Sequence, residues 1–198
     1  MTNAGGVILC GGESSRMREP KAWLPIGNEF LLQRVVRIVG QVVQPIVVVA
    51  ASGQNVPPLP EGVELIRDEM VGQGPLAGLA TGLAGMGGKA DLIYLSACDV
   101  PLITPEFVQQ VLAGLSDADI AVPNIDGRLH PLAGAYRVSV LAVVRALLSR
   151  GHRRMTDLFD AVPTRILEAP HFTNSRAVAN ANTPMEYAEL LRFVEPIV

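Results

Sequence analysis

Gly11 and Gly12 are followed closely by Arg16 and Lys21, and the apolar run Val7-Ile8-Leu9-Cys10 leads into them. That run is too short for a helix and reads as a buried strand ending at the glycines. Glycine tolerates positive φ and carries no Cβ, so the chain can turn there and let a ligand approach its backbone. The freed N–H groups of such a loop form an anion-binding concavity, and Arg16 and Lys21 add full positive charges around it. This chemistry suits a polyphosphate. The string is neither G-x-x-x-x-G-K-[ST] nor G-x-G-x-x-G, so the type of phosphate loop stays open, and a glycine turn with solvated basic residues gives the same string.

A second stretch, Ala97-Cys98-Asp99-Val100-Pro101, sets a carboxylate behind another apolar run, with Pro101 holding Val100 extended. A carboxylate at a strand end beside a phosphate loop suits Mg²⁺, a hard cation that takes oxygen ligands and shares them with substrate phosphates. An Asp that caps a turn is the plainer alternative. Arg67 and Asp68 close a third run in the same manner.

The elements that must position these residues alternate along the chain. Strands are expected at 7–10, 46–50, 63–66, 91–96, 118–123 and 164–167, with a further one over 130–136 after the Asp126-Gly127 turn. Helices are expected where Phe30, Leu31, Val35, Ile38, Val39 and Val42 recur, and at 76–86, 104–115, 138–148, 155–161 and 184–194. Gly78, Gly82 and Gly85 weaken the second of these helices, which implies close packing on the sheet as compensation. Such alternation predicts an α/β fold of three layers, a mostly parallel sheet with helices on both faces, in one domain spanning 1–198. Ligands of such sheets bind beyond the carboxyl ends of the strands, which brings the polar residues above to one edge. With the first and fourth strands as neighbours, Cys10 and Cys98 lie side by side beneath the phosphates, and modification of both thiols should impair activity.

Composition narrows the classes further. A net charge of −3 argues against a nucleic-acid-coating surface, and 49% hydrophobic residues argue against disorder. The two cysteines form no C-x-x-C, so neither a disulfide framework nor a zinc site is indicated. No apolar stretch is long enough to span a bilayer and no signal-peptide pattern opens the chain, so a cytoplasmic protein with no membrane partner is expected.

The stretch from Gly11 to Lys21 resembles the G-G-x-S-x-R-M-G-x-x-K signature of nucleotidyltransferases that activate small phosphorylated molecules with a nucleoside triphosphate. Within them it is most similar to the molybdenum cofactor guanylyltransferases, the MobA family. Arg18 stands where that pattern has glycine. Three further segments match in order: Asp68 with Gly74-Pro75-Leu76-Ala77-Gly78, Cys98-Asp99-Val100-Pro101, and Asn180-Ala181-Asn182-Thr183-Pro184. The resemblance implies that Leu9, Cys10, Gly11, Gly12, Lys21, Asp68 and Asp99 bind the nucleotide. It implies that Asp99 binds Mg²⁺, that Arg16 and Lys21 are catalytic, that Asn180 and Asn182 contact the second substrate or the metal, and that His130 faces the second substrate. His130-Pro131-Leu132 with Tyr136 resembles an H-P-L-x-x-x-Y segment on the pterin side. GTP and molybdopterin are the implied substrates, and molybdopterin-handling enzymes the class of protein partner; oligomeric state is left open. A cytidylyltransferase, a sugar-1-phosphate nucleotidyltransferase and a non-catalytic nucleotide sensor or cofactor-delivery protein remain the alternatives, separable by nucleotide preference and pyrophosphate release.

Overall fold

A computed structural model describes residues 3–11, 17, 19–68 and 73–194. The chain opens with strand β1 (Ala4–Leu9), followed by a small hairpin of β2 (Pro25–Ile26) and β3 (Glu29–Phe30). Helix α1 (Leu31–Gly40) leads to β4 (Ile46–Ala51) and β5 (Val63–Asp68), and α2 (Pro75–Gly85) to β6 (Leu92–Ala97). Next come α3 (Pro105–Ala113), β7 (Ile120–Ile125), β8 (Arg128–Leu129) and β9 (Ala135–Arg137). Helices α4 (Leu141–Ser149) and α5 (Met155–Phe159), strand β10 (Thr164–Glu168) and α6 (Pro184–Leu190) complete it.

The main sheet runs β10-β7-β9-β6-β1-β4-β5, with β8 added to β7. Only β9 on this path runs antiparallel to its neighbours β6 and β7. Alternation along each strand sends side chains to opposite faces. Val7 and Leu9 join the α2, α4 and α5 side with Leu79, Leu83, Val144 and Leu158, while Ile8 and Cys10 join the α1 and α3 side with Leu32, Val35, Phe107 and Val111. The expected three layers are therefore present, and β1 is central because it is buried on both faces.

The glycines of α2 do what their placement implied. A Cβ on Gly82 would lie 2.4 Å from Val7 Cγ1 and one on Gly85 2.2 Å from Ile66 Cδ1. The helix sits against the sheet at backbone distance, and a branched side chain at 82 has nowhere to go. Gly82→Val should cost about 2 kcal/mol or more through overpacking, a fall of roughly 4–8 °C in thermal midpoint. Calorimetry checks this, and an unchanged midpoint would show that the contact is not tight.

Three elements differ from expectation. The strand over 130–136 is shortened to β9, and a single 3-10 turn, Pro131–Ala133, takes its first half. Pro131 lacks the N–H that a ladder needs there. The closing helix stops at Leu190 and tightens into a 3-10 turn at Leu191–Phe193, and α5 stops at Phe159. The β2–β3 hairpin, which the sequence expectations did not include, turns at Gly27-Asn28, where Gly27 takes φ 60° at the first central position.

Candidate active site

The carboxyl ends of β1, β4 and β6 lie side by side at one sheet edge. Two backbone bonds hold the end of β1: Cys10 N–H donates to Val49 O (2.7 Å) and Cys98 N–H to Leu9 O (3.0 Å). Leu9 and Cys10 are buried, and the next residue, Gly11, is exposed. Gly12, Arg16 and Arg18, assigned to the loop from sequence, lie outside the described residues. The loop returns at Pro20, and Lys21 opens a 3-10 turn, Lys21–Trp23. Trp23 packs behind it, edge-on to Phe30 at 5.0 Å between ring centroids, with its Nε1–H donating to Asn55 O.

Segments distant in sequence converge on Asp99, which follows β6 and is buried. Lys21 Nζ donates to Asp99 Oδ2 at 2.5 Å and to Asn182 Oδ1 at 2.7 Å. Asn180 Nδ2 donates to Asp99 Oδ1 at 2.7 Å, and Ala181 N–H to the Asp99 carbonyl at 2.9 Å. Asn182 is held in turn by the start of α6. Thr183 Oγ1 accepts from Glu186 N–H, while Glu186 Oε2 accepts from Asn182 and Thr183 N–H, a capping box that fixes the entry of the helix. The Asp99 side chain is 11% exposed and that of Lys21 21%, so the ion pair is shielded yet opens to solvent on the lysine side. A carboxylate ringed by an ammonium and amides can exchange its ammonium for another cation, and the ammonium can then serve a phosphate.

Other expected site residues stand apart from this cluster. Asp68 ends the edge strand β5, two strands from β1, or about 10 Å by ordinary strand spacing. It accepts from Thr81 Oγ1 at 3.3 Å. Arg67 turns its guanidinium to the carbonyls of Ala51 and Gln54. His130 follows β8 at the carboxyl end of β7, half-buried, and burial pushes its pKa below the ordinary imidazole range. Tyr136, expected on the pterin side, is fully buried on β9 with its hydroxyl donating to Pro131 O at 2.7 Å. Its ring is core and lines no open surface. His152 pairs with Asp157, His171 meets Gln110 O, and Arg153 donates to Leu148 O at the end of α4, which are local structural roles. Gln54, which no motif marks, lies between β4 and the end of β1.

Residues 6–165 match the MobA-like NTP transferase domain. The chain belongs to the MobA-like NTP transferase family. Over 189 residues it is 39% identical to a protein of Mycobacterium tuberculosis named probable molybdenum cofactor guanylyltransferase, covering 91% of this chain and 92% of the relative. Its fold is that of the molybdopterin-guanine dinucleotide biosynthesis protein A of Archaeoglobus fulgidus, with a TM-score of 0.76 at 18% identity over 96% of this chain and 97% of the other. A 2-C-methyl-D-erythritol 4-phosphate cytidylyltransferase from Thermus thermophilus shares it too, with a TM-score of 0.70 at 18% identity over 96% and 98%. This MobA-like NTP transferase is thus a nucleotidyltransferase, built on a scaffold that also carries enzymes named for another base.

In this MobA-like NTP transferase the neighbouring β1 and β6 bring Cys10 and Cys98 together, as strand adjacency implied. Contact with the Cys10 sulfur, and then burial, hold the Cys98 thiol well above its ordinary pKa. A raised pKa keeps the thiol protonated at neutral pH, and only the thiolate is nucleophilic. Alkylation of Cys98 by iodoacetamide should therefore be slow at pH 7 and keep accelerating past the pH where an ordinary thiol levels off. Peptide mass mapping across a pH series checks this; a plateau near pH 9 would contradict it.

Proposed function

We propose that the protein transfers GMP from GTP to the terminal phosphate of molybdopterin and releases pyrophosphate. The observation that carries the reading is the meeting of Lys21, Asp99, Asn180 and Asn182 beside the exposed Gly11 at the carboxyl edge of the sheet. The 39% identity to a relative named for this activity supports the choice of substrates. In the reaction a phosphate oxygen of molybdopterin forms a bond to the α-phosphorus of GTP. The bond from that phosphorus to the bridging oxygen breaks, and its electron pair leaves with pyrophosphate. The nucleophile is already anionic, so no protein base is needed, and alignment and charge neutralisation carry the rate.

Each residue then has a task. The backbone at Leu9, Cys10, Gly11 and Gly12 cradles the nucleotide, with Asp68 toward its outer side. Lys21 and Arg16 neutralise the charge passing to pyrophosphate. Asn180 and Asn182 keep Asp99 and Lys21 in place at the rim where the second substrate enters, with His130 farther along the same edge. The donors at the site are of the kind Mg²⁺ takes, a carboxylate from Asp99 and an amide oxygen from Asn182, and with no cluster of three or more His, Cys, Asp or Glu among the described residues the remaining ligands would have to come from substrate and water. A hard cation held by one carboxylate completes its shell with substrate phosphates. When bound to Asp99, Mg²⁺ would supply charge neutralisation at the phosphates.

A panel of the four ribonucleoside triphosphates with Mg²⁺ and molybdopterin, read by pyrophosphate release, tests the proposal. GTP should support the fastest release. Preference for CTP or UTP would move the protein to the cytidylyl or sugar-phosphate class, and tight GTP binding without release would make it a sensor.

A further inference from the structure

The hydrogen bonds of β1 alternate between its neighbours. Gly6 and Cys10 N–H donate toward β4, at Pro45 and Val49, whereas Leu9 accepts from Cys98 on the β6 side. In a regular parallel ladder the next bond on the β4 side would run from Ala51 N–H to Cys10 O. Instead the side-chain amide of Gln54 is inserted between them. Ala51 N–H donates to Gln54 Oε1 at 3.1 Å, and Gln54 Nε2 donates to Cys10 O at 2.7 Å. The carboxamide acts as an extra peptide group, so β1 and β4 part by one amide's width as they reach the site.

Gln54 is itself held. Its N–H donates to Ala51 O at 3.1 Å, and its carbonyl accepts from Arg67 at 2.5 Å. The following residue, Asn55, accepts from the Trp23 indole at 3.1 Å, which ties the same turn to the segment carrying Lys21. A planar trans peptide points its C=O and N–H in opposite directions. With Cys10 O fixed on Gln54, the N–H of Gly11 is turned toward β6, the strand that Asp99 follows. The ladder there stops at Cys98 N–H to Leu9 O, and Gly11 N–H carries no hydrogen bond among the described residues. Among the described residues a Cβ on Gly11 would meet nothing nearer than Ala51 N at 3.9 Å.

We infer that Gln54 is a positioning residue for the nucleotide: it orients the Cys10–Gly11 peptide so that Gly11 N–H is presented to a triphosphate oxygen. This rests on the nucleotidyl-transfer reading above and adds the group that aims its phosphate loop. Gln54→Met keeps the length of the side chain and removes both polar ends. Gln54→Glu keeps the acceptor for Ala51 N–H and loses the donor to Cys10 O.

The test is a titration of wild type and both variants with GTP and with CTP, each with Mg²⁺, by calorimetry and by the backbone ¹H–¹⁵N resonance of Gly11. In wild type the Gly11 resonance should move on saturation. Both variants should bind the preferred triphosphate about tenfold more weakly, the scale of one hydrogen bond to a charged group. In pyrophosphate-release assays KM should rise by that factor with kcat nearly unchanged. A static Gly11 resonance in wild type, or Gln54→Met binding as wild type does, overturns the inference. Preference for CTP with the same loss in both variants would sustain Gln54 and overturn the base assignment. GTP preference with unchanged variant affinities would do the reverse.

Discussion

Lys21→Met will lower turnover about a hundred- to a thousandfold while leaving the protein folded, the loss expected when one preorganised charge is removed from a developing anion. Methionine preserves the stem and deletes only the ammonium. That ammonium lies 2.5 Å from Asp99 and 2.7 Å from Asn182, on the side of the pair that opens to solvent. Solvent reaches the lysine side and Asn180 still donates to the carboxylate left behind, so the cost in stability should be moderate, about 1–3 kcal/mol. The ammonium's contribution to the reaction is larger, because no other described cation touches Asp99. Single-turnover pyrophosphate release and a thermal melt separate the two effects. Near-normal turnover would remove Lys21 from the chemistry, and collapse of the melt would make its role structural.

Asp99→Asn will cost a similar or larger factor in turnover, and the Mg²⁺ concentration needed for half-maximal rate will rise. The two oxygens of Asp99 receive hydrogen bonds from opposite partners, Lys21 on one and Asn180 on the other. An amide offers an acceptor to only one of them and turns an NH₂ toward the second. That mismatch should lower stability by about 1–3 kcal/mol, a loss visible as a fall of several degrees in melting temperature. The two substitutions act on one ion pair, so their combination should cost far less than the product of the single losses. Multiplicative losses in the double variant would mean that the two groups work independently.

Much of the scaffold could be read in the order of apolar runs, because strands buried on both faces must be continuously hydrophobic and β1 and β4 are. The same logic placed Gly11, Lys21 and Asp99 at one edge, since each follows a strand or its loop. What the chain did not disclose depends on contacts between distant segments. Nothing local says that the Asn180 and Asn182 amides land on Asp99 and Lys21, because that depends on how α6 is capped. Gln54 sits in a polar, proline-rich connection where a glutamine looks solvated, and its importance comes from the ladder position left vacant by Ala51. Tyr136 followed a matching motif yet is core, since β9 enters the sheet between β6 and β7 and buries it on both sides.

The span recognised as the family's domain closes at residue 165, whereas Asn180, which donates to Asp99, and Asn182, which accepts from Lys21, both come from beyond it. The intervening chain is also structural, with Phe172, Ala177 and Val178 filling the layer beneath α3. Excising the domain at its recognised limit would thus yield a fragment with a breached interior and a carboxylate stripped of its amide braces. The tail is part of the wall around Asp99, and any exchange of modules between relatives has to carry it along.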